Sequence, residues 1–331
     1  MKQVIKISLI IAFSSIFLSC NLSGNDSSTY GQEIKAKDII KDISNEKDVY
    51  FENAIINGDL DFRLIKKYSK ENKALHCFYA SQSICFINCT FNGSVIFSGM
   101  DLEKNFFRTC FLKGLTFKNC IFKKEAIASN CEYRGLTDFS NSIFEAKADF
   151  SGSYFVSKDV IFSEVSFNDE LQFSNTRFNG NLSFMKSFFK GNTYFQNMAC
   201  LGNVMFANSI FAAYTDFTNA SFTAIVNFNY AEFRQKTIIN YVKFSGRADF
   251  VETVFKTKTE IKECAFYSIS RFSKTEFSGN TIMENNVFVS HVPECKDLTT
   301  SKGSEFIFTN NTLGAEKKIE KFDLIEITDK N

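Results

Sequence analysis

Residues 160–189 read VIFSEVSFNDELQFSNTRFNGNLSFMKSFF, and in them Phe162, Phe167, Phe173, Phe178, Phe184 and Phe189 fall at alternating intervals of five and six. The beat persists downstream. One series, stepping by eleven, is Phe162, Phe173, Phe184, Phe195, Phe206, Phe217, Phe228, Ile239, Phe250, Ile261, Phe272 and Met283. The other is Phe167, Phe178, Phe189, Cys200, Phe211, Phe222, Phe233, Phe244, Phe255, Phe266, Phe277 and Phe288. Twenty of these twenty-four positions are Phe, and a one-residue slip would destroy the register, so the period is a structural repeat. Upstream the beat continues with slips through Phe86, Phe91, Phe97, Leu102, Phe117, Phe122, Phe139, Phe144, Phe150 and Phe155, with an opening fragment at Phe51, Ile56 and Phe62.

The residue two before each centre is small or β-branched: Val160, Leu171, Leu182, Thr193, Val204, Thr215 and Val226 in one series, Val165, Thr176, Ser187, Ser209, Ala220 and Ala231 in the other. Positions i and i−2 share one side of an extended chain, so both face inward. A helix needs apolar spacings of three and four, which a five/six beat does not supply. Gly180, Gly191, Gly202, Gly246 and Gly279 follow second-series centres by two residues, inside the longer interval, which predicts a bulge or left-handed corner there.

These features resemble the pentapeptide-repeat family, in which a large apolar centre and a small i−2 residue recur on each side of a four-sided helix. Ala148-Asp149-Phe150-Ser151-Gly152 and Thr215-Asp216-Phe217-Thr218-Asn219 are similar to its A(D/N)LXX pattern with Phe in place of Leu. The resemblance covers about residues 84–288 and implies an all-β fold, a right-handed quadrilateral parallel β-helix. The sixth residue on alternate sides departs from the family and predicts coils of about 22 residues. Roughly nine such coils, about 4.8 Å apart, would make a rod on the order of 45 Å long.

The chain has 331 residues, 41 of them Phe, with no Trp and one Pro. Lys plus Arg number 38 and Asp plus Glu 37, a net charge of +1 that supplies no long-range field for nucleic acid. Residues 1–19 form a signal peptide: lysines near the start, an apolar run from Ile7 to Leu18 and small or polar residues before Cys20. Phe17-Leu18-Ser19-Cys20 resembles the lipobox of bacterial lipoproteins, which implies lipid attachment at Cys20. The alternatives are a signal peptide cleaved elsewhere and an uncleaved anchor. Residues 20–34 have the polar composition of a flexible tether. Residues 35–50 carry helical spacing at Ile39, Ile40 and Ile43 and would cap the first coil. The solenoid is expected over 51–290, with an irregular insertion at about 63–83, and a C-terminal cap and tail over 291–331. Within that last part Phe306 to Leu313 reads as an irregular strand and Ala315 to Phe322 as a short helix.

Cys89, Cys110, Cys120, Cys131 and Cys264 each stand two before an expected centre, with Leu112 as the centre after Cys110, and so read as buried thiols in the small slot. Cys89, Cys110 and Cys131 are 21 apart, so stacked ones could form a disulfide. No CxxC pair or catalytic Ser/His/Asp or Cys/His setting includes His76 or His291, so neither catalytic nor metal residues are assigned, and no cofactor. Asp169-Glu170 could serve glycoside hydrolysis, but its setting reads as solvated surface. Asp138, Asp149, Asp216 and Asp249 belong to the repeat pattern.

The expected function is a non-enzymatic, lipid-anchored scaffold at the cell envelope, held in the inner or outer membrane and facing the periplasm or the outside. Its partners are the membrane through the lipid and a protein or glycan, with no nucleic acid. The main alternative is a polysaccharide-active β-helix enzyme, marked by a cleft with carboxylates aligned across adjacent coils. A third, suggested by the family, is a DNA mimic that inhibits gyrase, which requires an acidic surface.

Overall fold

The computed structural model describes residues 31–65, 69–72, 75–101, 104–314 and 317–319. Its strands line four sides of a parallel β-helix, each side a sheet whose neighbours come from successive coils. The first side has ten strands, from Val49–Glu52 to Ser270–Arg271, and the second twelve, from Gln32–Lys35 to Thr299–Thr300. The third has eleven, from Leu60–Asp61 to Phe306–Thr309, and the fourth fourteen. Leu182 pairs with Val204 and Val204 with Val226, so one coil is 22 residues. A step of 23, as in Thr137 with Val160, absorbs the extra residue near Ser157.

Every centre named from Phe162 to Phe288 is at most 1% exposed, and the small residues two before them are buried as well. Rings of adjacent coils stack nearly face to face: Phe189 on Phe211 at 4.4 Å and 2°, Phe211 on Phe233 at 4.5 Å and 3°. Rings from neighbouring sides meet edge-on, as do Phe206 and Phe217 at 5.7 Å and 78°. Hydroxyls in the small slots mostly bond a backbone carbonyl, within their own coil for Thr193 and Thr215, which donate to Gly191 O and Ala213 O at 3.3 Å, and to the coil before for Ser187 and Ser209. Ser187 Oγ donates to Phe162 O and Ser209 Oγ to Phe184 O, both at 2.6 Å. A polar side chain can therefore occupy the core with its hydrogen bond met, Ser270 Oγ being an exception.

The corners differ from the sequence expectation. Left-handed residues lie in the shorter interval, two after first-series centres: Asn175 (φ 60°), Asn197 (φ 56°) and Asn219 (φ 60°) on one edge, Glu164 (φ 59°), Lys186 (φ 57°) and Asn208 (φ 60°) on another. Asn tolerates this region better than other non-glycine residues because its short amide can bond locally. Gly180 and Gly191, in the longer interval, do not take positive φ. Their backbone instead lies against the preceding coil: a Cβ on Gly180 would stand 2.0 Å from Lys158 O. Close approach, not handedness, selects glycine there.

The helix Ala36–Ser44 seats Ala36, Ile39, Ile40 and Ile43 on the first coil, as its spacing predicts. The stack is longer than nine coils. Residues 32–62 and 294–313 continue the same sheets, so the second side reaches twelve strands and the rod roughly 53 Å at about 4.8 Å per step. Gln32–Lys35, expected as the end of the tether and the first residue of the cap, is a strand paired in register with Ala54–Asn57, because Ile34 has an open sheet edge to join. The short helix expected from Ala315 is also corrected: Lys317–Ile319 is a strand antiparallel to Asn311–Leu313. Ser69–Asn72 likewise runs antiparallel to Leu75–Ala80, so the fourth side is closed at both ends by reversed strands. Residues 1–19, Cys20 and Leu102 lie outside the described residues.

Candidate interaction surface

Side chains one before each centre point outward and stack along a side. On the third side the series is Gln172, Tyr194, Asp216, Ile238, Glu260 and Ile282. The recurring Asp has a structural task here. Asp138 Oδ1 accepts Ser140 N at 2.8 Å, Asp149 Oδ1 accepts Ser151 N at 2.9 Å and Asp216 Oδ1 accepts Thr218 N at 2.8 Å, each bracing the backbone entering a corner. Asp249 differs: its Oδ2 accepts Arg247 Nε at 2.8 Å.

Cations concentrate where the second side turns into the third. Arg234 and Lys256 are one period apart, as are Lys236 and Lys258, so each pair is superposed in adjacent coils, and Lys262 follows on the third side. Glu232 lies 3.1 Å from Arg234 and 3.9 Å from Lys256. Glu260 lies 3.0 Å from Lys258, 3.6 Å from Lys236 and 4.0 Å from Lys262. Partial burial raises the pKa of Glu260, but Lys258, Lys236 and Lys262 together outweigh it and hold the carboxyl below its ordinary value. Five cations thus gather around Glu232 and Glu260, with Glu284 in register beside Lys262, a local positive excess that the whole-chain balance conceals.

The acidic pair Asp169-Glu170 is engaged locally. Glu170 is 2.8 Å from Lys147, whose ammonium holds its carboxyl below the ordinary value, and Asp169 accepts Glu170 N at 2.7 Å. A depressed pKa is the opposite of what a general acid at neutral pH requires. Aligned carboxylates in neighbouring coils are interrupted: Ile238 stands between Asp216 and Glu260, and Val254 between Glu232 and Glu276.

Polar chemistry also gathers where the repeat is broken, on the fourth side near the first coils. His76 is buried on the inward face of Leu75–Ala80, and its Nδ1 is 2.9 Å from Asp101 Oδ2. Arg63 donates to Asp61 through Nε and Nη2 at 2.9 and 2.8 Å, and through Nη1 to Met100 O at 3.0 Å. These contacts tie the turn after Phe62 to the hairpin containing Asp101. Cys77 follows His76 but projects to the opposite face of its strand, so the two do not form a nucleophile and base pair. Among the described residues no group of three His, Cys, Asp or Glu side chains is placed to hold a metal ion. A cavity of about 210 Å³ lies beside the capping helix, between Ile43, Ser44, Ser69, Phe78 and Gln82.

The nine described cysteines are all buried. Cys89, Cys120, Cys131 and Cys264 occupy small inward slots, where each thiol donates to a backbone carbonyl, Cys264 Sγ to Ile239 O at 2.9 Å. Burial pushes the Cys264 and Cys131 thiols up to about 12, which makes them inert. Cys110 departs from the expectation. Phe111, not Leu112, is the core centre of that coil, Leu112 being 37% exposed, and Thr109 fills the small slot. Cys110 therefore faces outward. The insertion between Phe97 and Phe111 hides this change of register, since the beat cannot be counted through it.

Residues 156–199 match the family model described as pentapeptide repeats (9 copies). No curated protein and no solved structure matches the chain.

Proposed function

We propose, from the premise that the chain is a pentapeptide-repeat protein, that it is a non-enzymatic, lipid-anchored scaffold of the cell envelope whose second-to-third corner docks an anionic protein or glycan. The observation behind the docking site is the superposed array of Arg234, Lys236, Lys256 and Lys258 with Lys262 beside it. Its spacing is set by two rigid repeats, about 4.8 Å between coils, which matches a linear partner bearing closely spaced carboxylates or sulfates. Rigid display limits the ordering cost of binding. Cys20 supplies the anchor, and the polar residues after it give the rod reach from the membrane.

The protein without residues 1–19 is tested against envelope glycans and envelope proteins at low and moderate salt, beside a Lys236→Glu, Lys258→Glu variant. Binding should weaken at least tenfold in the variant and fall with salt. Binding that ignores both changes would overturn the docking site, and shortening of a bound glycan would overturn the non-enzymatic assignment. Cys20→Ser should move the protein from the membrane to the soluble fraction; retention in the membrane would sink the anchor.

A further inference from the structure

Leu75–Ala80 and Phe106–Phe111 are the longest paired strands on the fourth side, six residues each in continuous parallel register. His76, Phe78 and Ala80 on one strand and Phe107, Thr109 and Phe111 on the other face the core. Cys77 and Cys110 therefore stand on the outer face, yet are 0% and 1% exposed. Cys77 is in register with Arg108 and Cys110 with Tyr79, so the two cysteines are diagonal neighbours on adjacent strands. Their Sγ atoms are 2.9 Å apart. That is closer than unbonded sulfurs ordinarily approach, and about 0.9 Å longer than a disulfide bond.

We propose that Cys77 and Cys110 are the protein's structural disulfide, closed when the folding chain meets a disulfide-bearing oxidant. The thiolate of one cysteine attacks a sulfur of the oxidant, whose other sulfur leaves with the electron pair of the broken bond. The second cysteine, giving its proton to solvent, then attacks the protein sulfur of the mixed disulfide and releases the remaining oxidant sulfur. The two cysteines are oxidised together by two electrons, and the oxidant becomes two thiols. The site has a structural reason. Both irregular segments of the solenoid, the chain between Phe62 and Leu75 and the chain between Phe97 and Phe106, enter this pair of strands. The step between coils is 31 residues there instead of the 22 usual along the rod, and the bond would span 33 residues of chain. The core thiols Cys89, Cys120, Cys131 and Cys264 lie in inward slots and donate to backbone carbonyls, and Cys89 and Cys120 also bond to each other. The inference does not depend on the anchor or on the cationic corner.

The full chain is folded in the presence of oxidised glutathione, denatured in excess iodoacetamide and digested without reduction. The expected product is one cross-linked peptide pair containing Cys77 and Cys110, with Cys89, Cys120, Cys131 and Cys264 alkylated. Reduction should lower the thermal midpoint of the wild type by several degrees. It should leave Cys77→Ser and Cys110→Ser unchanged. Alkylation of both Cys77 and Cys110 in the oxidised wild type, or a link from either to another cysteine, would overturn the proposal. The wild-type map stands even where a variant folds poorly.

Discussion

At the scale of single residues, two positions carry the repeat. The first is the ring. Phe217 is 1% exposed, lies on Phe195 at 4.9 Å and 11°, and meets Phe228 edge-on at 5.4 Å. Phe217→Ser removes those contacts and leaves a hydroxyl in the cavity, so it should cost more than about 3 kcal/mol. An unchanged denaturant midpoint would show that the ring is not holding its coil. The second position is the left-handed corner. Asn219 has φ 60°, so Asn219→Val should lose about 1–2 kcal/mol in the same measurement while Asn219→Gly stays near neutral. Equal losses from both would place the cost in the amide's contacts instead of the backbone. The ring was legible in the sequence because twenty of the twenty-four inward centres from Phe162 to Phe288 are the same residue type. The corner was not, because Asn175 and Asn197 sit among other polar residues and only the fold separates their φ from that of Gly180.

At the scale of elements, each side is held by pairing between coils and each corner by side chains. Adjacent coils also share surface charge, as in Lys147 with Glu170 and the lysines around Glu260. Glu260 is held below its ordinary pKa in the fold, so its contribution is complete above the unfolded value of about 4.3 and disappears as pH falls through the lower folded value. Glu260→Gln should therefore be less stable than wild type at pH 6, by about 1 kcal/mol or less for so exposed a group of partners, and equal to it near pH 3. Guanidinium melts at fixed pH read this directly; a gap that persists at pH 3 would assign the loss to packing. Elements that broke the period were the least legible. Ala128 occupies a third-side centre with no large side chain, and the hydroxyl of buried Tyr133 reaches its carbonyl at 3.5 Å, filling the space from the next side. Nothing in the local pattern marks that exchange of volume. Cys77 and Cys110 were hidden for a related reason, since their approach depends on two insertions that reset the count.

At the scale of the whole molecule, the stack is held by pairing between successive coils, and its ends are finished differently from its middle. The helix Ala36–Ser44 covers the first coil, and the reversed strands Ser69–Asn72 and Lys317–Ile319 close the fourth side. The repeat, its core and the capping helix could be anticipated from spacing, and the four sides from the resemblance to pentapeptide repeats. The cationic corner was missed although coils of 22 residues superpose Lys236 on Lys258, because charge was weighed over the whole chain, where it nearly cancels, and not coil by coil.

The constancy of that superposition separates length from azimuth. The core pattern repeats every eleven residues, but a full circuit takes 22. Deleting residues 184–205 removes one circuit and leaves all downstream sides in phase. The protein should fold with one coil fewer and keep the cationic corner on its original flank. Deleting residues 184–194 keeps every ring inward but turns the remainder of the rod through half a revolution. The corner carrying Lys236 and Lys258 would then lie beside the fourth side, on the flank that carries Cys77 and Cys110. Both deletions should melt cooperatively, and only the half-circuit one should change which flank of a bound partner is protected from labelling. Loss of folding in both would mean that the coils are not interchangeable units. In this sense the sequence behaves as a screw thread: its pitch is set by the rings, and where a binding face points is a matter of how many half-turns precede it.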